Sequence, residues 1–362
     1  MRTALLLTGL VLATGLVLAA GTATAQRAIS SEEALATAHR IEAATNSGDG
    51  SVLDHFFDID SLIQNIRRKS VALKDPVFLK GFSESFNKGF INFGDRIVMA
   101  INLGNYRLLK EFERKGVRHL LFRMYGTGGL NYHDYTLVRS KDSIKASDVY
   151  VYQVDESLSN TLANLADMMN QSLENVPEDV SIIMKLTEEN TKKNYSAVKE
   201  QYEHLTEKYK NTKSIQLIYI TACHHLDLSL YETALEHFST SFPDATSCYI
   251  MMIDLYYLRK EYDKGFVALD KLDKLLGGDA VLDHIRGNFY KEQGKKAESL
   301  ACYEKVYHFE PTLAANNRSL ITAYEDGGDK AKAYALVTDM KKTAAFHESD
   351  YSDLFSKYPD LK

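Results

Sequence analysis

The stretch Asn131-Tyr132-His133-Asp134-Tyr135 gathers hydrogen-bonding and titratable side chains in the first half of the chain. On a β-strand side chains alternate, so Asn131, His133 and Tyr135 share one face while Tyr132 and Asp134 share the other. The preceding apolar run puts Arg123 and Tyr125 on one side and Phe122 and Met124 on the other. Asp148, Tyr150 and Tyr152 align on the run that follows. One pocket lined by Arg123, Tyr125, His133, Asp148 and Tyr150 would suit small-ligand binding, or proton transfer between a histidine and an aspartate. The competing reading makes His133 and Asp148 a structural hydrogen-bonded pair, or puts them on a solvated side. One histidine beside one aspartate, with no positioned nucleophile, is too little for a reaction.

Other chemistry-bearing residues read as structural. His224 and His225 are adjacent on a helix, point about 100° apart and do not easily bind one metal. Gly126-Thr127-Gly128-Gly129 lies between two strands and not before a helix, which makes it a hairpin turn and not a phosphate loop. Cys223, Cys248 and Cys302 are too few for a disulfide framework. They read as buried thiols, with a Cys223–Cys248 bridge as the alternative. No spacing suggests zinc, and the sequence implies no cofactor.

The elements that must position these residues fall into two regions. Residues 26–157 mix helical and strand patterns. Ser30 or Ser31 caps a helix from Ala34 to Thr45, a second spans Val52 to about Arg68, and Asp75-Pro76 opens a third. Ile97 to Leu103 is β-prone. Tyr106–Arg114, Val117–Tyr125, Leu130–Arg139 and Ile144–Val154 read as strands joined by the turns Lys115-Gly116, Gly126 to Gly129 and Ser140-Lys141-Asp142. The expected fold is an α+β domain with helices on a curved antiparallel meander of four or five strands. This order of elements resembles the cystatin-like cone fold of the nuclear-transport-factor superfamily. The resemblance implies helices in the hollow of a bent sheet, and that hollow can hold a ligand.

From Leu158 the pattern is helical: a connecting helix over 158–178, helical repeats over 179–347 and a capping segment over 348–362. Between residues 280 and 313, Gly287, Tyr290, Gly294, Ser299, Tyr303, Val306 and Pro311 occupy fixed slots. A shift of 34 residues takes Tyr290 to Tyr324 or Tyr256, Ser299 to Ala333 or Gly265, and Val306 to Met340 or Leu272. This period and these slots resemble the tetratricopeptide repeat, most clearly over 246–279, 280–313 and 314–347. Each hairpin has apolar stripes it cannot bury alone, so stacking builds a shared core, and the expected result is an all-α solenoid. The resemblance implies a concave groove with Asp254, Tyr257, His284, Asn288, Lys291, Arg318, Thr322 and Glu325 in the groove-facing slots. By default these are solvated helix residues. The family's carboxylate clamp needs lysines that are not in place here, although Asn288 and Arg318 are reminiscent of it.

Residues 1–25 read as a signal peptide: Arg2, an apolar run from Ala4 to Ala20, then Ala23-Thr24-Ala25 before Gln26. The expected product is exported, periplasmic or extracellular, without stable membrane insertion after cleavage. Net charge is −6 for the chain, a mild acidity that gives no basic face for nucleic acid. The function expected is that of an interaction or scaffold protein holding a protein or peptide partner in the groove. A ligand-binding protein or enzyme using the N-terminal pocket is the alternative.

Overall fold

A computed structural model describes residues 27–89, 93–171, 178–243 and 245–362; the expected signal segment lies outside them. The first helix, α1 (Ser31–Asn46), begins at a reciprocal cap in which the Ser30 hydroxyl accepts from the Glu33 amide and the Glu33 carboxylate accepts from the Ser30 amide. Its stripe of Ala34, Ala38, Ile41 and Thr45 is buried. The helical stretch expected from Val52 to Arg68 divides into α2 (Ser51–Asp54) and α3 (Ile59–Lys69). The break has a local part, the Asp58 side chain capping α3 by accepting from the Ser61 amide, and a tertiary part. The Phe56 carbonyl and the Asp58 amide each make a 2.8 Å hydrogen bond to Ala146 at a strand edge. Helix α4 (Pro76–Gly89) starts at the expected proline. The β-prone stretch Ile97–Leu103 is instead largely helical, within and just beyond α5 (Phe93–Ala100). Ile97 and Ile101, one turn apart, are both buried, and Gly94 lets the helix backbone rest on Gly50. The apolar periodicity served a helix face, overriding β propensity.

Five antiparallel strands follow in simple meander order: β1 (Asn105–Arg114), β2 (Val117–Gly126), β3 (Gly129–Ser140), β4 (Ser143–Val151) and β5 (Glu156–Ser157). Exposed strand edges invite pairing with other chains, and both long edges here are engaged. On β1, Asn46 accepts from the Tyr106 amide at 2.8 Å and Glu42 from the Leu108 amide at 3.0 Å. On β4, the Phe56–Asp58 segment covers Ala146.

Both faces of the sheet are buried. One carries Tyr106, Leu120, Phe122, Tyr135, Ala146 and Val149 into a core with α1, α2, α3 and α5. Ala163 and Ala166 of α6 (Leu158–Gln171) join that core, and Asp167 accepts hydrogen bonds from Ser70 and the Ala72 amide. The opposite face carries Leu121 and Tyr132 against the helical region. Burial on two faces explains why Leu120-Leu121-Phe122-Arg123-Met124 does not alternate apolar with polar.

The C-terminal region is all helical. Its hairpins are α7 (Glu178–Thr191) with α8 (Tyr195–His204); after the short α9 (Glu207–Lys210), α10 (Lys213–Leu226) with α11 (Leu228–Ser241); α12 (Thr246–Leu258) with α13 (Tyr262–Leu276); α14 (Ala280–Glu292) with α15 (Lys296–Phe309); and α16 (Ala314–Asp326) with α17 (Lys330–Met340). In the last three, the first helices start 34 residues apart and so do the second helices. Helix α18 (Ser352–Lys357) and flanking turns cover the end, burying Tyr351, Leu354 and Phe355 on Tyr324 and Leu336. Small residues sit where helices meet closely. A methyl on Gly265 would overlap the Phe289 ring, and one on Gly287 would lie 2.6 Å from the Tyr303 ring. No helix among the described residues is long and apolar enough to cross a membrane.

Candidate functional site

A cleft of about 780 Å³ lies where the first helices α10, α12 and α14 face the β2–β3 turn. Its apolar floor is Ile220 from α10, Ile250 and Ile253 from α12, and Ile285 and Phe289 from α14. The turn closes one side with Thr127, Gly128, Gly129 and Leu130. It is held by hydrogen bonds from the Thr127 amide to the Asn102 carbonyl and from the Gly128 amide to the Ala100 carbonyl, at 3.0 and 2.9 Å. Tyr125, from the strand that leads into the turn, also lines the cleft. Burial pushes its hydroxyl up to about 12, so it stays a neutral hydrogen-bonding group.

Of the groove-facing residues expected from the repeat, Asp254, Tyr257 and Asn288 line this cleft. Asp254 accepts from the Tyr231 hydroxyl at 2.9 Å. Tyr257 stacks obliquely on Phe289, centroids 5.4 Å apart. Asn288 accepts from the Tyr303 hydroxyl at 2.7 Å.

His284 does not face the groove. It is buried between Asn316 and Asn288, with the rings of Tyr125 and Tyr303 about it. Burial lowers its pKa to about 4, so it is neutral at physiological pH. The sheet covers this part of the first-helix face, which the repeat pattern alone leaves open. Arg318 is also withdrawn from the groove. It binds both carboxylate oxygens of Asp353, at 2.7 and 2.5 Å, and the Asp350 carbonyl, pinning the C-terminal cap. Thr322 donates to the Arg318 carbonyl within its own helix. Lys291 is exposed and Glu325 half-buried.

The N-terminal residues expected to share a pocket are dispersed. Arg123 lies on the sheet face that meets the repeats and is fully buried. It donates to Asp279 at 2.5 Å, to both oxygens of Glu310 at 2.9 and 2.6 Å, and to Asn105 at 2.6 Å. Tyr132 donates to the other oxygen of Asp279 at 2.8 Å. Burial alone would push the Glu310 carboxyl up; the Arg123 hydrogen bond and the charges of Arg123 and Arg107 outweigh it, leaving Glu310 below its ordinary value. His133 lies on the opposite face, where its Nδ1 is 3.0 Å from the Tyr106 hydroxyl, and burial lowers its pKa to about 4. Asp148 accepts from Ser159 at the start of α6. Tyr150 donates to Asp155 at 2.5 Å. Among the described residues, the histidine–aspartate pair that does form is His119 with Asp134, at 2.7 Å.

The other end of the cleft holds the adjacent histidines that the sequence reading took as structural. There Tyr195 stacks on His225 at 4.2 Å, and His224 meets Tyr231 edge-on at 4.9 Å. Lys193, in a left-handed conformation with φ 59°, lies beside them. The adjacent histidines were the available signal; their exposure follows from α10 being a first helix on the cleft side. Cys223 and Cys248 are buried free thiols and Cys302 is a half-buried one. No group of three or more metal-ligating side chains occurs among the described residues. Compared with protein-family models, with curated proteins and with solved structures, the chain gives no match.

Proposed function

We propose that this protein is an exported interaction protein that holds a peptide or helix of a protein partner in the cleft between the first helices and the β2–β3 turn. The observation that carries this reading is the composition of the cleft: an apolar floor of four isoleucines and Phe289, with Asp254, Asn288 and Thr221 about it. An apolar floor with a few polar groups at its margin is what a bound segment's side chains and backbone need. The tetratricopeptide resemblance supports the same reading, because in such arrays the first helices supply the binding surface. The apolar leader read in the sequence supports export.

The alternative, a ligand site in the hollow of the N-terminal sheet, is disfavoured because side chains fill that hollow. Tyr106, Phe122, His133 and Tyr135 occupy it, and each is buried. The α+β region is better read as a wall that shapes the cleft and fixes the repeats.

Selection of peptides displayed on phage against the whole exported chain tests the reading. Thr221→Arg introduces bulk at an exposed position on the cleft wall. Selected peptides are expected to lose binding to this variant while its melting temperature is unchanged. Peptides that bind the variant as well as the parent, or a selection that enriches nothing, would sink the proposal.

A further inference from the structure

We infer that the cleft receives one basic side chain, lysine or arginine, carried by an otherwise apolar segment, and that Asp254 is the group that binds it. This rests on the reading of the cleft as a partner site. Asp254 is exposed, lines the cleft, and makes its hydrogen bond to a neutral group, the Tyr231 hydroxyl. Among the described residues no cationic side chain forms an ion pair with it. Neighbouring carboxylates differ. Arg259 holds Glu232 and Glu236, and Arg286 holds Asp270, Asp273 and Asp283. Asp254, on the cleft wall, has no such counter-charge among the described residues, and the Glu292 carboxylate beside Tyr257 adds to the negative potential there.

The surroundings suit a cation on an aliphatic stem. The Tyr257 ring lines the cleft one helical turn from Asp254, and aromatic faces attract ammonium and guanidinium groups. Ile250 and Ile253 lie on the same helix and can cover the methylene stem of lysine or arginine. Tyr231 fixes one carboxylate oxygen, Oδ2, at 2.9 Å. A cation can meet the other, and a charge-assisted hydrogen bond is stronger than a neutral one. Lys193, His224 and His225 line the α8–α10 end. The Lys193 charge disfavours a uniformly basic ligand and favours a single basic residue among apolar ones.

The test uses fluorescent peptide pools with a fixed central lysine, norleucine or glutamate and flanks drawn from Leu, Ile, Ala and Ser. Binding to the whole chain is measured by anisotropy for the parent and for Asp254→Asn. The asparagine still accepts from Tyr231, so the melting temperature should hold. The lysine pool is expected to bind about tenfold more tightly than the norleucine pool, and Asp254→Asn should equalise the two. Equal binding of lysine and norleucine pools to the parent overturns the charge assignment and leaves the cleft reading standing. So does a lysine preference that survives in Asp254→Asn. Failure of every pool to bind, with Thr221→Arg also without effect on displayed peptides, overturns the cleft reading itself.

Discussion

Arg123 on β2 sets its two terminal nitrogens on the two carboxylate oxygens of Glu310, at 2.9 and 2.6 Å, joining the sheet to the end of α15 across 187 residues of chain. Both side chains are buried, as is Asp279, which accepts from the same guanidinium, as does Asn105; the Arg123 Nε is buried without a partner among the described residues. A buried cation is tolerated only when it is paired, and here the four bonds from the two terminal nitrogens do the pairing. Loss of one partner while the interface stays closed would leave a charge buried without its counter-ion.

Arg123→Ala should cost about 3–5 kcal/mol, because it leaves Asp279 buried without its cation and Glu310 with Arg107 alone. Combining Arg123→Met with Asp279→Asn and Glu310→Gln removes the charges together and should recover much of the loss. Asparagine at 279 retains an acceptor for the cap on the Val281 amide. Urea midpoints compare the variants. A triple variant no more stable than Arg123→Ala would mean that the ion network does not set the interface energy.

Two helical glycines should respond to alanine with opposite signs. Gly265 lies under the Phe289 ring, so a methyl there overlaps it; overpacking of this kind costs about 1–3 kcal/mol. A methyl on Gly81 in α4 would meet no atom within 4 Å, so Gly81→Ala should gain up to about 1 kcal/mol from helix propensity. Phe289→Leu should partly rescue Gly265→Ala. Thermal melts of the variants decide it, and a stabilised Gly265→Ala would show that the two helices have room to part.

Stability should fall as pH drops from about 6.5 to about 4. Burial lowers the pKa of His133 and of His284 from 6.5 to about 4. In that window the unfolded chain binds protons that the folded chain refuses, so each residue's contribution is complete above pH 6.5 and is lost on acidification. Each shift corresponds to roughly 3 kcal/mol across the window. The His284→Gln variant should show a shallower dependence of urea midpoint on pH than the parent. Identical slopes for parent and variant would place His284 in contact with solvent.

The strands, their turns and the hairpins could be read from the sequence because each depends on a short-range pattern. Turn residues fixed the meander, and small residues at Gly265 and Ser299 marked close helix contacts. The division of Val52–Arg68 was only partly legible: Asp58 caps α3 locally by accepting from the Ser61 amide, while the pairing of the Phe56–Asp58 backbone with Ala146 is tertiary. The candidate cleft was legible in part. Asp254, Tyr257 and Asn288 followed from repeat position, whereas the burial of His284 followed from a sheet that periodicity cannot place.

Arg123 shows the limit most clearly. The sequence by itself determined that a charged residue sits inside the apolar run Leu120 to Met124, and that alternation puts it on the face opposite Phe122. It could not say what that face meets. Local periodicity records which surfaces must leave water, while the pairing of two such surfaces depends on their shapes and on the position of every polar group between them. Only the tertiary structure brought Asp279 and Glu310 to Arg123, covered His284 with Tyr125, and left Asp254 facing an open cleft.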